Sequence, residues 1–93
     1  MKISIKNKNI LITGGTGSFG VKCLEYIFKY HKPKKVVVFS RDELKQYELS
    51  KIYSEKSYPI RYFIGDVRDR DRLCRACSNI DFIIHAAAMK RVT

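Results

Sequence analysis

The sequence predicts an α/β protein whose core is a parallel sheet with helices on both sides. Short apolar runs rich in β-branched residues alternate with amphipathic helical patterns, and this alternation occurs four times. The connections are short, and no internal repeat interrupts the alternation. Right-handed crossovers between successive parallel strands then favour the strand order 3-2-1-4, the N-terminal part of a doubly wound fold.

The first half of the chain predicts two buried strands on either side of a long helix. Residues 9–13 form a first apolar strand, and residues 35–40 a second, uninterrupted and β-branched. Between them an apolar stripe at helical spacing (Val21, Leu24, Ile27 and Phe28) predicts a helix after Gly20. Pro33 and its basic neighbours end that helix.

The second half predicts two more helix–strand pairs. A helix over residues 42–53 is expected to turn Leu44, Tyr47 and Ile52 inward, and a loop follows over residues 54–59. The remaining predicted elements are a strand over 60–64, a short helix over 69–78 and a strand over 81–85.

A glycine cluster follows the first strand and opens the first helix. Gly14, Gly17 and Gly20 are spaced by three residues, which suits a tight turn, close approach of a pyrophosphate and close helix–strand packing. Glycine triplets also occur in ordinary loops, but the strand–turn–helix context favours a phosphate-binding turn in a Rossmann-type fold. The free N–H groups at the helix N-terminus would face the anion.

The end of the second strand indicates which dinucleotide would bind. An acidic residue there would bind the ribose hydroxyls of NAD, whereas this strand ends in Ser40 and Arg41. A hydroxyl and a guanidinium suit the 2′-phosphate of NADP, although Arg41 read alone is also compatible with a plain surface charge. Asp42 is placed to cap the next helix.

The formal charge of +10, from 19 basic and 9 acidic residues, raises nucleic acid as a partner. The basic residues are spread along the chain and often alternate with acids, as in residues 66–72, which is typical of solvated helix faces. We therefore expect no nucleic acid partner.

The three cysteines and the N-terminus indicate a soluble protein of the cytoplasm. An odd number of cysteines without an export signal argues against a disulfide framework. Cys74 and Cys77 lack a second pair of ligands at zinc spacing, so we expect them to be small apolar residues on one helical face, with no metal site. No run reaches membrane-spanning length, and no membrane partner is expected.

Four ordered motifs resemble a known group, the extended short-chain dehydrogenase/reductases. They are Thr13–Gly20, Ser40–Lys45, Ile64–Asp69 and His85–Lys90, and together they look like the inverting UDP-N-acetylglucosamine 4,6-dehydratases and their polysaccharide-biosynthesis relatives. The resemblance implies that residues 1–93 are an NAD(P)-binding Rossmann domain, with NADP as cofactor and a UDP-sugar as substrate. It also implies a homo-oligomer at full length.

The resemblance implies roles for particular positions. Thr16, Gly17, Ser18 and Phe19 match the positions that hold the pyrophosphate, together with Gly14 and Gly20 of the same turn. The positions that surround the 2′-phosphate are matched by Ser40, Arg41, Asp42, Glu43, Leu44 and Lys45. Asp66 and Val67 match a pair that contacts adenine, Ala86 matches a position lining the cofactor, and Lys90 matches a substrate contact. Read without the resemblance, Asp66 suits a turn or cap, Lys90 suits solvated surface, and His85 suits a hydrogen-bonded structural role.

The chemistry that the resemblance implies uses groups that we do not find here. These dehydratases oxidise the sugar at carbon 4, eliminate water across carbons 5 and 6 and return the hydride to carbon 6, using a Tyr-x-x-x-Lys pair and an Asp-Lys pair. Tyr30 with Lys34 and Tyr47 with Lys51 have the tyrosine–lysine spacing but lie in the wrong elements, so we expect both to be chance matches. We therefore assign no catalytic residue and expect a cofactor-binding portion that is inactive alone. An epimerase or reductase of the same superfamily, or a stand-alone NADP-binding module, remains an alternative.

Overall fold

In the part of the chain that the structure describes, four strands alternate with three helices. A computed structural model describes residues 5–14 and 16–86. The strands are β1 (Asn9–Thr13), β2 (Lys35–Ser40), β3 (Ile60–Ile64) and β4 (Phe82–His85), and the helices are α1 (Ser18–Tyr30), α2 (Glu43–Ser50) and α3 (Arg70–Ala76).

The four strands form one parallel sheet in the order β3-β2-β1-β4, as the sequence predicts. Thr13, the last residue of β1, lies beside Phe39 of β2 on one side and His85 of β4 on the other. Ser40 at the end of β2 lies beside Ile64 of β3. The carboxyl ends of all four strands therefore meet at one edge of the sheet.

The two central strands are buried on both faces and separate two core layers. Ile10, Ile12, Val36 and Val38 face α1 and α2, with Leu24, Ile27 and Leu49 packed on them. On the opposite face Leu11, Val37 and Phe39 pack against Ala76 and Leu73 of α3. Because successive side chains of a strand point to opposite faces, one continuous apolar run supplies both layers.

The prediction of which α2 residues face the sheet is wrong. Leu44 and Ile52 are each 66% exposed and Tyr47 is 61% exposed, while Gln46 and Leu49 face the sheet. The side-chain amide of Gln46 has carbonyl and hydroxyl partners in β2 and β3, so a polar residue fits the inward position.

The helices are also shorter than predicted. Helix α2 ends at Ser50 and a turn follows, so Tyr53 lies beyond it. Asp69 precedes α3 as its N-cap and does not form its first turn, and α3 ends at Ala76. Helix ends are decided by capping contacts, which an apolar pattern does not report.

Strand β4 lies at the edge of the sheet and alternates between packed and open side chains. Phe82 and Ile84 pack on the α1 side, whereas Ile83 is 47% exposed and His85 is exposed. The strand that ends at His85 is therefore not buried on both faces. Its expected structural hydrogen bond is present, since His85 Nδ1 lies 3.0 Å from Thr13 Oγ1.

The two C-terminal cysteines do not share one buried face. Cys77 is half-buried against the α3 core layer, whereas Cys74 is exposed, and both are free thiols. No cluster of three histidine, cysteine or acidic side chains occurs in residues 5–14 and 16–86. No helix within that same part of the chain has the length and apolar character to cross a membrane.

Candidate dinucleotide site

A cleft of about 410 Å³ lies at the carboxyl ends of β1, β2 and β3. This is the edge where open parallel sheets bind ligands, next to the point at which the strand order reverses. The lining residues come from the turns after the three strands and from the start of α2: Gly14, Thr16, Gly17, Phe39, Ser40, Arg41, Asp42, Lys45, Gly65, Asp66, Val67 and Arg68.

The glycine turn forms one wall of this cleft. Gly14 has a φ of 69°, in the left-handed region that favours glycine, and its N–H donates to Phe39 O at 2.8 Å. The N–H of Gly17 donates back to Gly14 O at 3.1 Å, which closes the turn immediately before α1. The turn is thus tied to β2, and at Gly14 and Gly17 it presents backbone without a Cβ atom to the cleft.

Helix α1 differs from the other two helices at its N-terminus. Asp42 caps α2 by accepting from Lys45 N at 3.0 Å, and Asp69 caps α3 by accepting from Arg72 N at 3.2 Å. Helix α1 begins after Gly17 with no side-chain cap and no acidic residue in its first turn. Its N-terminal N–H groups and its positive dipole end are therefore available to an external anion.

Charged side chains surround the part of the cleft between β2 and β3. Arg68 holds Asp66 through three side-chain hydrogen bonds: Nη2 donates to Oδ2 at 2.8 Å, and Nε donates to Oδ1 and to Oδ2, each at 3.2 Å. Arg41 Nη1 lies 3.6 Å from the same Oδ2, and the Arg41 side chain is 71% exposed. Arg41 is therefore weakly held and free to contact a bound anion, whereas Arg68 is engaged.

Asp66 is a carboxylate at all ordinary pH values. The side-chain hydrogen bond from Arg68 lowers the pKa of Asp66 well below its usual 3.8, and a backbone hydrogen bond from Arg68 N adds to the effect. The same contact raises the pKa of Arg68. Asp66 thus combines the predicted turn role with a fixed acceptor at the cleft.

The structure brings most of the predicted cofactor residues together. Gly14, Thr16, Gly17, Ser40, Arg41, Asp42, Lys45, Asp66 and Val67 all line the cleft. The remaining described ones, Ser18, Phe19, Gly20, Glu43, Leu44 and Ala86, are not among its lining residues. Phe19 instead lines an apolar groove of about 490 Å³ between α1 and β4. Ala86 and Gly20 are buried, and Lys90 lies outside the described residues.

Three lining residues had no assigned role at the level of sequence. Phe39 and Gly65 form the floor, and Arg68 anchors Asp66. Gly65 and Arg68 belong to the motif Ile64–Asp69, so their signal was present in the pattern. Phe39 gave no such signal, because an aromatic residue in an apolar strand is most often an ordinary core residue.

The two tyrosine–lysine spacings lie away from the cleft. Tyr30 ends α1, and Tyr47 is exposed on α2 with Lys51 Nζ 4.7 Å from its ring centre. Neither pair is among the residues that line the cleft.

Comparisons with known proteins agree with the fold and with the family resemblance. A family model described as polysaccharide biosynthesis protein matches residues 10–93. The inverting UDP-N-acetylglucosamine 4,6-dehydratase of Campylobacter jejuni is 56% identical over 85 residues, covering 91% of this chain and 25% of that protein. A UDP-glucose 4-epimerase of Rickettsia bellii is 39% identical over 89 residues, covering 92% of this chain and 26% of the epimerase.

A solved structure matches the fold closely. The X-ray structure of Pen from Bacillus thuringiensis superposes with a TM-score of 0.85 at 47% identity, over 97% of this chain and 28% of that chain. The chain thus spans about a quarter of the length of the relatives that it matches.

Proposed function

Since this chain belongs to the polysaccharide biosynthesis protein family, we propose that it is the NADP-binding portion of a nucleotide-sugar 4,6-dehydratase. The observation that carries the proposal is the uncapped N-terminus of α1 facing the same cleft as Ser40 and Arg41. An uncapped helix suits the pyrophosphate, and an exposed guanidinium next in sequence to a serine hydroxyl suits a 2′-phosphate.

The residues present fit such a dinucleotide. The glycine turn lets backbone approach the pyrophosphate, Lys45 and Arg41 add positive charge, and Asp66 offers an acceptor to the exocyclic amine of adenine. Bound NADP⁺ would supply a hydride acceptor. The chain's own contribution is to bind and orient that group, and the groups that act on the sugar are proposed to be supplied from outside residues 1–93.

The relatives support a UDP-sugar as the substrate of the whole enzyme. A 4,6-dehydratase at 56% identity ranks above an epimerase at 39%, and this difference favours the dehydratase reaction on UDP-N-acetylglucosamine. We propose no nucleic acid or membrane partner, a homo-oligomeric whole enzyme, and a cytoplasmic location.

Calorimetric titration of the 93-residue chain with NADP⁺ and with duplex DNA tests the binding proposal. We expect saturable 1:1 binding of NADP⁺ and weak, non-stoichiometric binding of DNA. Steeply salt-dependent DNA binding without any NADP⁺ binding would overturn the proposal and favour a nucleic acid module.

A chimera tests the reaction. This chain replaces the matching segment of the Campylobacter jejuni dehydratase or of the Rickettsia bellii epimerase, and each product is identified by mass and NMR. We expect the dehydratase host to form a 4-keto-6-deoxy sugar nucleotide and to retain more of its parent activity than the epimerase host. The opposite order would favour the epimerase alternative.

A further inference from the structure

A buried glutamine connects α2 to the end of β2 directly beneath the cleft. Gln46 is only 4% exposed, and its Nε2 lies 2.9 Å from Ser40 Oγ and 3.2 Å from Phe63 O. Ser40 is 8% exposed and lines the cleft, whereas Gln46 does not. Gln46 therefore acts on a ligand in the cleft indirectly, and Ser40 is its hydrogen-bond partner that lines the cleft.

The orientation of the Gln46 amide follows from its partners. Phe63 O is a carbonyl oxygen and only accepts, so the Gln46 atom that faces it must be the NH₂ group. One of its two hydrogens is donated to Phe63 O and the other to Ser40 Oγ. The Ser40 hydroxyl is thus an acceptor from Gln46 and has no donor bond to that amide.

The hydroxyl hydrogen of Ser40 must then point elsewhere. Among the hydrogen bonds of the described residues, none has the Ser40 hydroxyl as donor, although Ser40 is almost fully buried. Ser40 lines the cleft together with Arg41 and Lys45, so a ligand in the cleft is the acceptor that we infer for this hydrogen. An O–H donor in a cleft that also holds two cationic side chains suits a group that only accepts hydrogen bonds.

We propose that Gln46 is a positioning residue that fixes the Ser40 hydroxyl as a donor into the cleft and so increases the preference for NADP over NAD. A phosphate dianion accepts this hydrogen in a charge-assisted bond, whereas a ribose hydroxyl gains less from it. This inference rests on the proposed function, because it concerns the same cofactor site.

A double-mutant cycle in the full 93-residue chain tests it. The proteins are wild type, Ser40→Ala, Gln46→Met and the double variant, and calorimetry gives the dissociation constants for NADP⁺ and NAD⁺. We expect each single variant to lower the NADP⁺ preference by about three- to tenfold, the effect of losing one net hydrogen bond. The double variant should lower it no further than Ser40→Ala alone.

A structural control separates positioning from loss of packing. Leu49 is buried on the same face of α2 and makes no contact with Ser40 by hydrogen bond, so Leu49→Val should lower the melting temperature and leave the preference unchanged. A change of preference in Leu49→Val as large as in Gln46→Met would overturn the inference.

A charged variant of the same size gives a second readout if Gln46→Met does not fold. The carboxylate of Gln46→Glu accepts the Ser40 hydrogen and turns it away from the cleft. Its NADP⁺ preference, taken relative to wild type at each pH, should be lowest at pH 8 and recover as the carboxyl is protonated at lower pH. A ratio that stays equal to wild type at every pH contradicts the inference.

The outcomes separate the two proposals. A wild-type chain that binds both dinucleotides equally, or neither, contradicts the proposed function. If the wild-type chain prefers NADP⁺ and Gln46→Met keeps that preference, only the role of Gln46 is contradicted. The same holds if Gln46→Met lowers the preference as much in the Ser40→Ala background as in wild type.

Discussion

Single residues decide the shape of the cleft floor. A Cβ at Gly65 would lie 2.7 Å from Phe39 Cζ and 2.9 Å from Arg72 Cγ. Phe39 is fully buried and stacks on Phe63, with ring centres 5.7 Å apart, so its ring has little room to move. The absence of a side chain at position 65 is therefore a packing requirement of this floor.

Gly65→Ala is expected to destabilise the protein. The added methyl overpacks the Phe39–Phe63 pair, and overpacking of this kind costs about 1–3 kcal/mol in the free energy of unfolding. Urea denaturation monitored by circular dichroism measures the change, with Gly65→Ala in a Phe39→Leu background as the control that opens space. A Gly65→Ala protein as stable as wild type would contradict the packing account.

The elements show which parts of the structure a sequence pattern can predict. The bounds of all four strands agree with the prediction to within one residue, because β-branched runs bounded by turn residues are typical of strands. The face that α2 turns toward the sheet was not predicted, because the apolar pattern places Leu44 and Tyr47 inward. That pattern carries no information about the hydrogen bonds that Gln46 makes to residues of the sheet. Similarly, topology places Ser40 and Asp66 at one edge, but the direction of Phe19 depends on how α1 packs.

A hydrogen bond from strand β3 makes the stability of the folded state decrease at alkaline pH. The Tyr62 hydroxyl donates to Tyr53 O at 2.6 Å, and burial, with a smaller contribution from the charge of Glu55, raises the pKa of Tyr62 to about 12. The folded state therefore keeps this proton while an unfolded tyrosine, with its ordinary pKa of 10.0, loses it. The stabilisation is complete below pH 10 and is lost as the pH rises from 10 to 12.

Tyr62→Phe tests this linkage. Near pH 8 the variant should be less stable than wild type by about 1 kcal/mol, the value of one hydrogen bond. The difference should shrink between pH 10 and 12, because the phenylalanine has no proton to lose. Urea midpoints measured across this pH range give the difference in stability. Tyr47→Phe is the control, because Tyr47 is exposed. A difference independent of pH would refute the linkage.

Of the two edges of the described sheet, β3 and β4, the β4 edge is the one that adjoins an apolar groove. Within the described residues, β4 has a strand partner on one side only, and the apolar groove between α1 and β4 adjoins this edge. An apolar sheet edge promotes pairing between chains. The relatives that this chain matches are about four times as long.

We expect the 93-residue chain to self-associate through this edge. Sedimentation velocity over a range of concentrations should show a shift to larger species, and Ile83→Lys should reduce it because a charge on the edge opposes pairing. Ile52→Lys is the matched control, since Ile52 is exposed on the segment after α2. A monodisperse monomer at every concentration would contradict this expectation.

The central claim, that the cleft is built for a 2′-phosphorylated dinucleotide, is tested most directly by the ratio of NADP⁺ to NAD⁺ affinity in wild type and Arg41→Ala. The wild-type chain should bind NADP⁺ at least about tenfold more tightly than NAD⁺, since a phosphate–guanidinium contact is a charge-assisted hydrogen bond. Arg41→Ala should abolish most of that preference at an unchanged melting temperature, while Arg75→Ala, at the far end of α3, should retain it. Equal affinities in the wild-type chain, or a preference that survives Arg41→Ala intact, would contradict the account.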